Sequence, residues 1–184
     1  MTTQNQSSTP NINFIKPDYL KKGDRVAIVA PAGTLQGRHK AIEKAESLLK
    51  EWGLVPILGQ HLFVQNNHFA GTDEERASDF QKALDNPSIK AIWCARGGYG
   101  SARILDKLEY TKFKASPKWV IGYSDITALH SHLNTLGYET KWIRENEIDI
   151  KRNKHFRGSL TSPVQQGSSY SWWGFDVGWR IYNI

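Results

Sequence analysis

The chain has 184 residues, of which 39% are apolar, and a net charge of +6, which is enough for one domain of ordinary size with a sizeable core. It contains no run of about 18 apolar residues that could span a bilayer, and its N-terminus lacks the basic and apolar regions of a secretory signal. The single cysteine, Cys94, cannot form an intrachain disulfide, which fits a reducing compartment. From these three features together we predict a cytoplasmic protein with no membrane partner.

The positive charge does not by itself indicate a nucleic-acid partner. Residues 1–140 hold 17 Lys and Arg against 14 Asp and Glu, and residues 141–184 hold seven against four. In the body of the chain the lysines alternate with acids, as on a solvated helix face. No stripe of basic and aromatic residues accompanies the charge, so we predict no binding of nucleic acid.

The first half of the chain predicts two strands and two helices after a polar leader at 1–14. Residues 25–30 form an apolar, β-branched run that ends in a turn, as expected of a buried strand. Apolar residues at helical spacing follow from about 35 to 52, with Gly53 placed to end the helix. Residues 54–58 predict a strand at the sheet edge, because Pro56 lacks a ladder donor. Thr72 and Glu75 form a capping box for a helix that runs to about Leu84.

The second half continues the same alternation. Strands are predicted at 89–94 and 119–122, and helices from Ser101 and over 126–136. Strand–helix alternation of this kind favours an α/β fold with an open parallel sheet and helices on both faces. We therefore predict a domain over 15–140. Residues 141–184 show no sustained period and are predicted to be an irregular tail.

Three segments are expected at the carboxyl ends of the strands, where ligands bind in open α/β sheets: 31–33, 96–100 and 122–126. Ser124 lies between an apolar strand and a helix, as the nucleophile does in a strand–turn–helix elbow. Gly122 would give the clearance that such a turn needs, but Ile126 departs from the G-x-S-x-G pattern. The alternative is that Ser124 caps the helix.

The glycine cluster at 96–100 is open to three interpretations. Its amides could bind phosphate, hold a developing oxyanion, or only turn the chain. A dinucleotide cofactor is not expected, because the third glycine of that fingerprint is missing and the cluster follows the third strand instead of the first.

Four blocks, in this order, resemble the LD-carboxypeptidases, which include muramoyltetrapeptide carboxypeptidases and microcin-immunity peptidases. The blocks are Val26-Ala-Ile-Val-Ala-Pro-Ala-Gly33, Phe69-Ala-Gly-Thr-Asp-Glu-Glu-Arg76 with Asp79-Phe80, Ala95-Arg-Gly-Gly-Tyr-Gly100, and Ile121-Gly-Tyr-Ser-Asp-Ile-Thr127. Together they cover about residues 15–140.

The resemblance implies a serine peptidase without metal or cofactor that releases the terminal D-alanine of a murein tetrapeptide. Ser124 would be the nucleophile, and the backbone amides of Gly98 and Asp125 would be the oxyanion donors. In this family the Glu and His of the triad come from a C-terminal domain, which we expect this chain to lack. His130 and His132 are expected to be surface or packing residues, because they do not share a helix face and His130 lies about 9 Å of helical rise from Ser124.

The tail differs from what the family would place there. Trp172-Trp-Gly-Phe-Asp176 stands where a Gly-Gly-Asn-Leu-like block is expected, and reading its codons one base later gives Gly-Gly, which suggests translation out of frame from about 141. We therefore expect little or no peptidase activity from the chain alone. The alternatives are a non-catalytic peptide-binding module or the remnant of a pseudogene, and a homodimer is left open.

Overall fold

The computed structural model describes residues 13–142. The predicted leader lies outside the described residues except for Asn13 and Phe14, and the predicted tail lies outside them except for Lys141 and Trp142. Its out-of-frame interpretation therefore stays a prediction.

A five-stranded parallel sheet forms the centre of the domain, as predicted, with its strands in the order β2-β1-β3-β4-β5. Pro56 lies in the edge strand β2, where its missing N–H removes no ladder hydrogen bond. The last strand pairs Gly122 with Trp142 and extends the sheet two residues past the predicted domain end. The strands are β1 (Arg25–Val29), β2 (Val55–Leu58), β3 (Ile89–Cys94), β4 (Trp119–Gly122) and β5 (Lys141–Trp142).

Helices cover both faces of the sheet, which confirms the predicted layering. Alternate residues of β1 point to opposite faces, so Val26 and Ile28 pack with α1 while Ala27 and Val29 pack with the remaining α-helices. The helices are α1 (His39–Glu51), α2 (Asp73–Asp85), α3 (Thr111–Ala115) and α4 (Thr127–Thr135), with 3-10 helices η1 (Ser101–Lys107) and η2 (Ser124–Ile126). No helix within 13–142 is both long and apolar enough to cross a membrane.

The helix ends follow the local sequence closely. Thr72 Oγ1 accepts the Glu75 amide at 3.2 Å and Glu75 Oε2 accepts the Thr72 amide at 2.8 Å, which completes the predicted capping box. Helix α1 begins at His39, four residues after the predicted start, because Gly37 adopts a φ of 71° that no right-handed helix accommodates. Helix α3 was not predicted, since its five residues bury only Phe113 and show no period.

Lys118 joins the start of β4 to the end of α2. Its side chain is buried, with 1% of the residue exposed, and its Nζ donates to three carbonyls at the C-terminal end of that helix: Ala83 at 3.1 Å and Leu84 and Asn86 at 2.8 Å. A cation is favourable at this pole of a helix, whereas burial lowers the pKa of Lys118 to about 8. The strand that delivers Ser124 is thereby fixed against α2.

Candidate active site

Ser124 follows β4 directly and is held in a strained, exposed turn. Its φ is 60°, in the left-handed region that residues with a Cβ rarely adopt, and the residue is exposed to solvent. No side-chain hydrogen bond caps either η2 or α4, and Ile126, not Ser124, is the N-cap residue of α4. The geometry therefore argues against the helix-cap role, and strained backbone of this kind is concentrated at functional sites. The assignment of Ser124 as the nucleophile stays a prediction.

The departure from G-x-S-x-G at Ile126 has a packing explanation. A Cβ added to Gly122 would lie 2.8 Å from Ile126 Cγ2, so the isoleucine occupies the space that the missing side chain leaves. Ile126 is completely buried there. The turn thus needs glycine before the serine, as predicted, and fills its underside with an apolar side chain.

All three predicted segments meet at one rim of the sheet. A Cβ on Gly97 would lie 2.9 Å from the Cβ of Ser124, so the glycine loop (96–100) packs directly against the elbow. The Gly33 amide donates to the Gly97 carbonyl at 3.1 Å, which joins segment 31–33 to the same loop. Gly98 has a φ of 111° and is exposed beside them.

Two backbone amides beside Ser124 have no hydrogen-bond acceptor within residues 13–142. Among the described residues, neither the Gly98 nor the Asp125 amide has a hydrogen-bond acceptor. The Asp125 nitrogen would lie 3.3 Å from a Cβ on Gly97, so it faces the glycine loop across a short gap. Their assignment as oxyanion donors stays a prediction, and this arrangement is compatible with it.

A buried arginine, which the sequence analysis did not single out, anchors two of these segments. Arg76 is 1% exposed, and its Nη1 donates to the carbonyls of Pro31 at 2.7 Å and Gly100 at 2.8 Å. Its Nη2 pairs with Asp73, and the guanidinium lies 4.8 Å from the centre of the Phe69 ring. Burial lowers the pKa of Arg76, an effect that the attraction of Asp73 opposes. The only sequence signal for Arg76 is that it ends one of the four family-like blocks, the one that begins at Phe69.

Asp125 also contacts Ser101, which the sequence did not predict. Its Oδ2 accepts the Ser101 amide at 2.8 Å, and the Ser101 hydroxyl donates to the Asp125 carbonyl at 2.5 Å. The two residues are 24 positions apart, so no local pattern could have paired them.

No histidine within residues 13–142 is hydrogen-bonded to Ser124. His130 is buried beneath the elbow, and its Nε2–H donates to the Gly122 carbonyl at 3.1 Å, while Nδ1 has no partner in the described part of the chain. Burial lowers the pKa of His130. His132 packs on the Tyr110 ring with 4.8 Å between ring centres. Both are therefore packing residues, as predicted.

A histidine–carboxylate pair does exist, but it lies away from Ser124. His61 Nδ1 is 2.9 Å from Asp79 Oδ1; His61 follows β2, which is separated from β4 by two strands. At a strand spacing of about 4.8 Å, the two strand ends are roughly 14 Å apart. Within 13–142 no cluster of three or more His, Cys, Asp or Glu is arranged to hold a metal.

Comparison with known proteins assigns this arrangement to a family. Residues 26–142, most of the described domain, match the LD-carboxypeptidase N-terminal domain. The chain belongs to the LD-carboxypeptidase family. This confirms the resemblance that the four sequence blocks indicated.

Relatives of the LD-carboxypeptidase family are similar to this chain over only part of their own length. A putative carboxypeptidase of Streptomyces coelicolor is 37% identical over 160 residues, which is 82% of this chain and 51% of that protein. The murein tetrapeptide carboxypeptidase of Pseudomonas aeruginosa is 38% identical over 114 residues, covering 61% of this chain and 36% of the relative. The chain therefore spans about half the length, or less, of these two relatives.

The solved structures agree on the fold. The crystal structure of an MccF-like protein from Bacillus anthracis superimposes with a TM-score of 0.63 and 31% identity, covering 67% of this chain and 38% of that one. The LD-carboxypeptidase fold of residues 13–142 thus corresponds to one part of a larger protein in that structure.

Proposed function

We propose that this chain provides the nucleophile-bearing half of an LD-carboxypeptidase that releases the terminal D-alanine of a murein tetrapeptide. The observation that carries the proposal is Ser124, exposed at a φ of 60° and packed against the glycine loop. A serine that only capped a helix would not need this conformation, because N-cap residues have an extended backbone. The names of relatives that act on murein peptides give the substrate class.

The proposed reaction is acyl transfer through Ser124. Its Oγ attacks the carbonyl carbon of the scissile amide and forms an acyl-enzyme, and D-alanine leaves with a proton on its nitrogen. Water then hydrolyses the ester and returns the proton to Oγ. The amides of Gly98 and Asp125 would stabilise the oxyanion of both tetrahedral intermediates, each by about 3 kcal/mol.

The proposal requires a general base from outside residues 13–142. No hydrogen bond links Ser124 Oγ to any group of the described range, and a serine hydroxyl is a weak nucleophile at neutral pH unless a base accepts its proton. We propose that the base and its orienting acid belong to the second half found in the longer relatives, and that the chain alone is impaired.

The glycine loop carries an exposed aromatic side chain. Tyr99 follows Gly98 and is 57% exposed, and its ring centre lies 5.8 Å from that of Phe69 and 6.2 Å from that of His68. We propose that a peptide whose reacting carbonyl is bound at the Gly98 amide contacts Tyr99.

Release of D-alanine from a murein tetrapeptide tests the proposal. We would measure it for the full chain and for a chimera in which the C-terminal half of the Pseudomonas aeruginosa relative follows residue 142. The chimera is expected to be far more active than the chain, and its Ser124→Ala variant inactive. A folded chimera that releases no D-alanine, or a Ser124→Ala variant that releases it equally fast, would overturn the proposal.

A peptide-binding module without catalysis is the second candidate, favoured because residues 13–142 hold no base hydrogen-bonded to Ser124. It predicts that the full chain binds the tetrapeptide with the same affinity before and after Ser124→Ala, and that the chimera does not hydrolyse it. Calorimetric titration beside the release assay separates the two functions.

A further inference from the structure

Asp125 and Ser101 are joined by two hydrogen bonds, both donated by Ser101 and both accepted by Asp125. The Asp125 carboxylate accepts the Ser101 amide at 2.8 Å, and the Ser101 hydroxyl donates to the Asp125 backbone carbonyl at 2.5 Å. Ser101 is completely buried and Asp125 is partly buried, so the two donors are shielded from bulk water. Hydrogen bonds to an ionised acceptor are among the stronger ones in proteins.

These bonds join the two segments that carry the Gly98 and Asp125 amides. Asp125 follows Ser124 directly, and Ser101 is the first residue after the glycine loop. The other end of the loop is fixed by Gly97, whose carbonyl accepts from Gly33 and whose Cα packs on Ser124. Gly98, with a φ of 111°, lies between the two attachments. Its amide therefore has a defined position only while both ends of the loop are held.

The Asp125 carboxylate belongs to a residue whose backbone amide is a proposed oxyanion donor. A negative charge beside a developing oxyanion opposes its formation. The buried guanidinium of Arg76 attracts the Asp125 carboxylate, and this attraction, like that of Asp73, opposes the lowering of the Arg76 pKa by burial. Arg76 also donates to the Gly100 carbonyl at 2.8 Å, one residue before Ser101.

We infer that the Asp125 side chain is a positioning residue, which holds the glycine loop against the elbow so that the Gly98 amide stays fixed relative to Ser124. This inference rests on the proposed function, because the position of that amide matters only if Ser124 reacts. It assigns Asp125 two separate roles: its backbone amide faces the reacting centre, and its carboxylate fixes the second donor.

Amide hydrogen exchange and backbone NMR of the full chain test the inference without requiring hydrolysis. Asp125→Ala removes the acceptor, and Asp125→Asn keeps an oxygen that can accept the Ser101 amide. The control, Asp106→Ala, removes an exposed carboxylate from η1, the 3-10 helix that begins at Ser101. We expect Ser101 to exchange roughly tenfold faster in Asp125→Ala, with a shifted and broadened Gly98 resonance. Asp125→Asn should restore both signals, and Asp106→Ala should leave both unchanged.

A general loss of stability would be recognised in the strands. If Asp125→Ala only destabilised the domain, amides of β1 and β3 would exchange faster by the same factor as Ser101. That pattern would overturn the inference, as would an unchanged Ser101 amide or a failure of Asp125→Asn to restore it. Failure of the proposed function would instead appear as absence of D-alanine release by the folded chimera, with the exchange pattern of the full chain intact.

Discussion

The left-handed conformation of Ser124 makes a prediction about stability whose sign is unusual. The left-handed region costs a residue with a Cβ roughly 1–2 kcal/mol. Glycine adopts it with little strain but loses roughly 0.5–1 kcal/mol more conformational entropy on folding. At a φ of 60° the first term is larger. Ser124→Gly should therefore be more stable than Ser124→Ala by roughly 0.5–1 kcal/mol.

Comparing these two variants removes the contribution of the hydroxyl, since both lack it. Ser131 provides the matched control, because it is exposed in the middle of α4 and has an ordinary helical backbone. There glycine should be less stable than alanine by about 1 kcal/mol. The two sites should thus differ by roughly 1.5–2 kcal/mol in the effect of replacing alanine by glycine.

Urea denaturation of the four variants measures these differences, provided that the slopes of the transitions agree. The reasoning is refuted if glycine is less stable than alanine at position 124 by the same amount as at 131. That result would mean that Ser124 has no backbone strain, and the elbow interpretation would lose its main support.

Three further predictions concern the residues that hold the site in place. Arg76→Met should destabilise the domain by roughly 3–5 kcal/mol in a thermal melt because it leaves buried carbonyls unpaired. Arg103→Met, which removes an exposed cation that also pairs with Asp73, should have a small effect. Equal effects would contradict the anchoring role of Arg76. Burial lowers the pKa of Lys118 to about 8 from 10.5, so between these pH values the unfolded chain binds more protons than the folded one, and the free energy of unfolding should rise with pH from 8 to 10.5. Denaturation at several pH values should show a smaller slope in Lys118→Met. An unreduced slope would exclude Lys118 as its source. Gly122→Ala should cost about 1–3 kcal/mol by forcing Ile126 from its place, and calorimetry that finds less than about 0.5 kcal/mol would show that the turn relaxes freely.

The elements of the fold could be read from the sequence where a local signal exists. The capping box at Thr72 and the edge position of Pro56 follow from hydrogen-bonding rules that involve only near neighbours. The strand at Ile89–Cys94 follows from its short apolar run. Helix α3 had no such signal, because a five-residue helix is shorter than two periods. The strand at Lys141–Trp142 was missed for the same reason, since two residues show no alternation.

For the site, the sequence alone determined which residue types stand after which strand: Ser124 after β4, the glycine loop after β3 and Gly33 after β1. That was sufficient to predict their common rim, because parallel strands end on the same side. Only the tertiary structure decided the strain at Ser124 and the contacts of Arg76 and Asp125. The hydrogen bonds of Arg76 to Pro31 and Gly100, and of Ser101 to Asp125, join residues from 24 to 45 positions apart. Their existence depends on how the strands are ordered and how the helices pack, which no local pattern encodes.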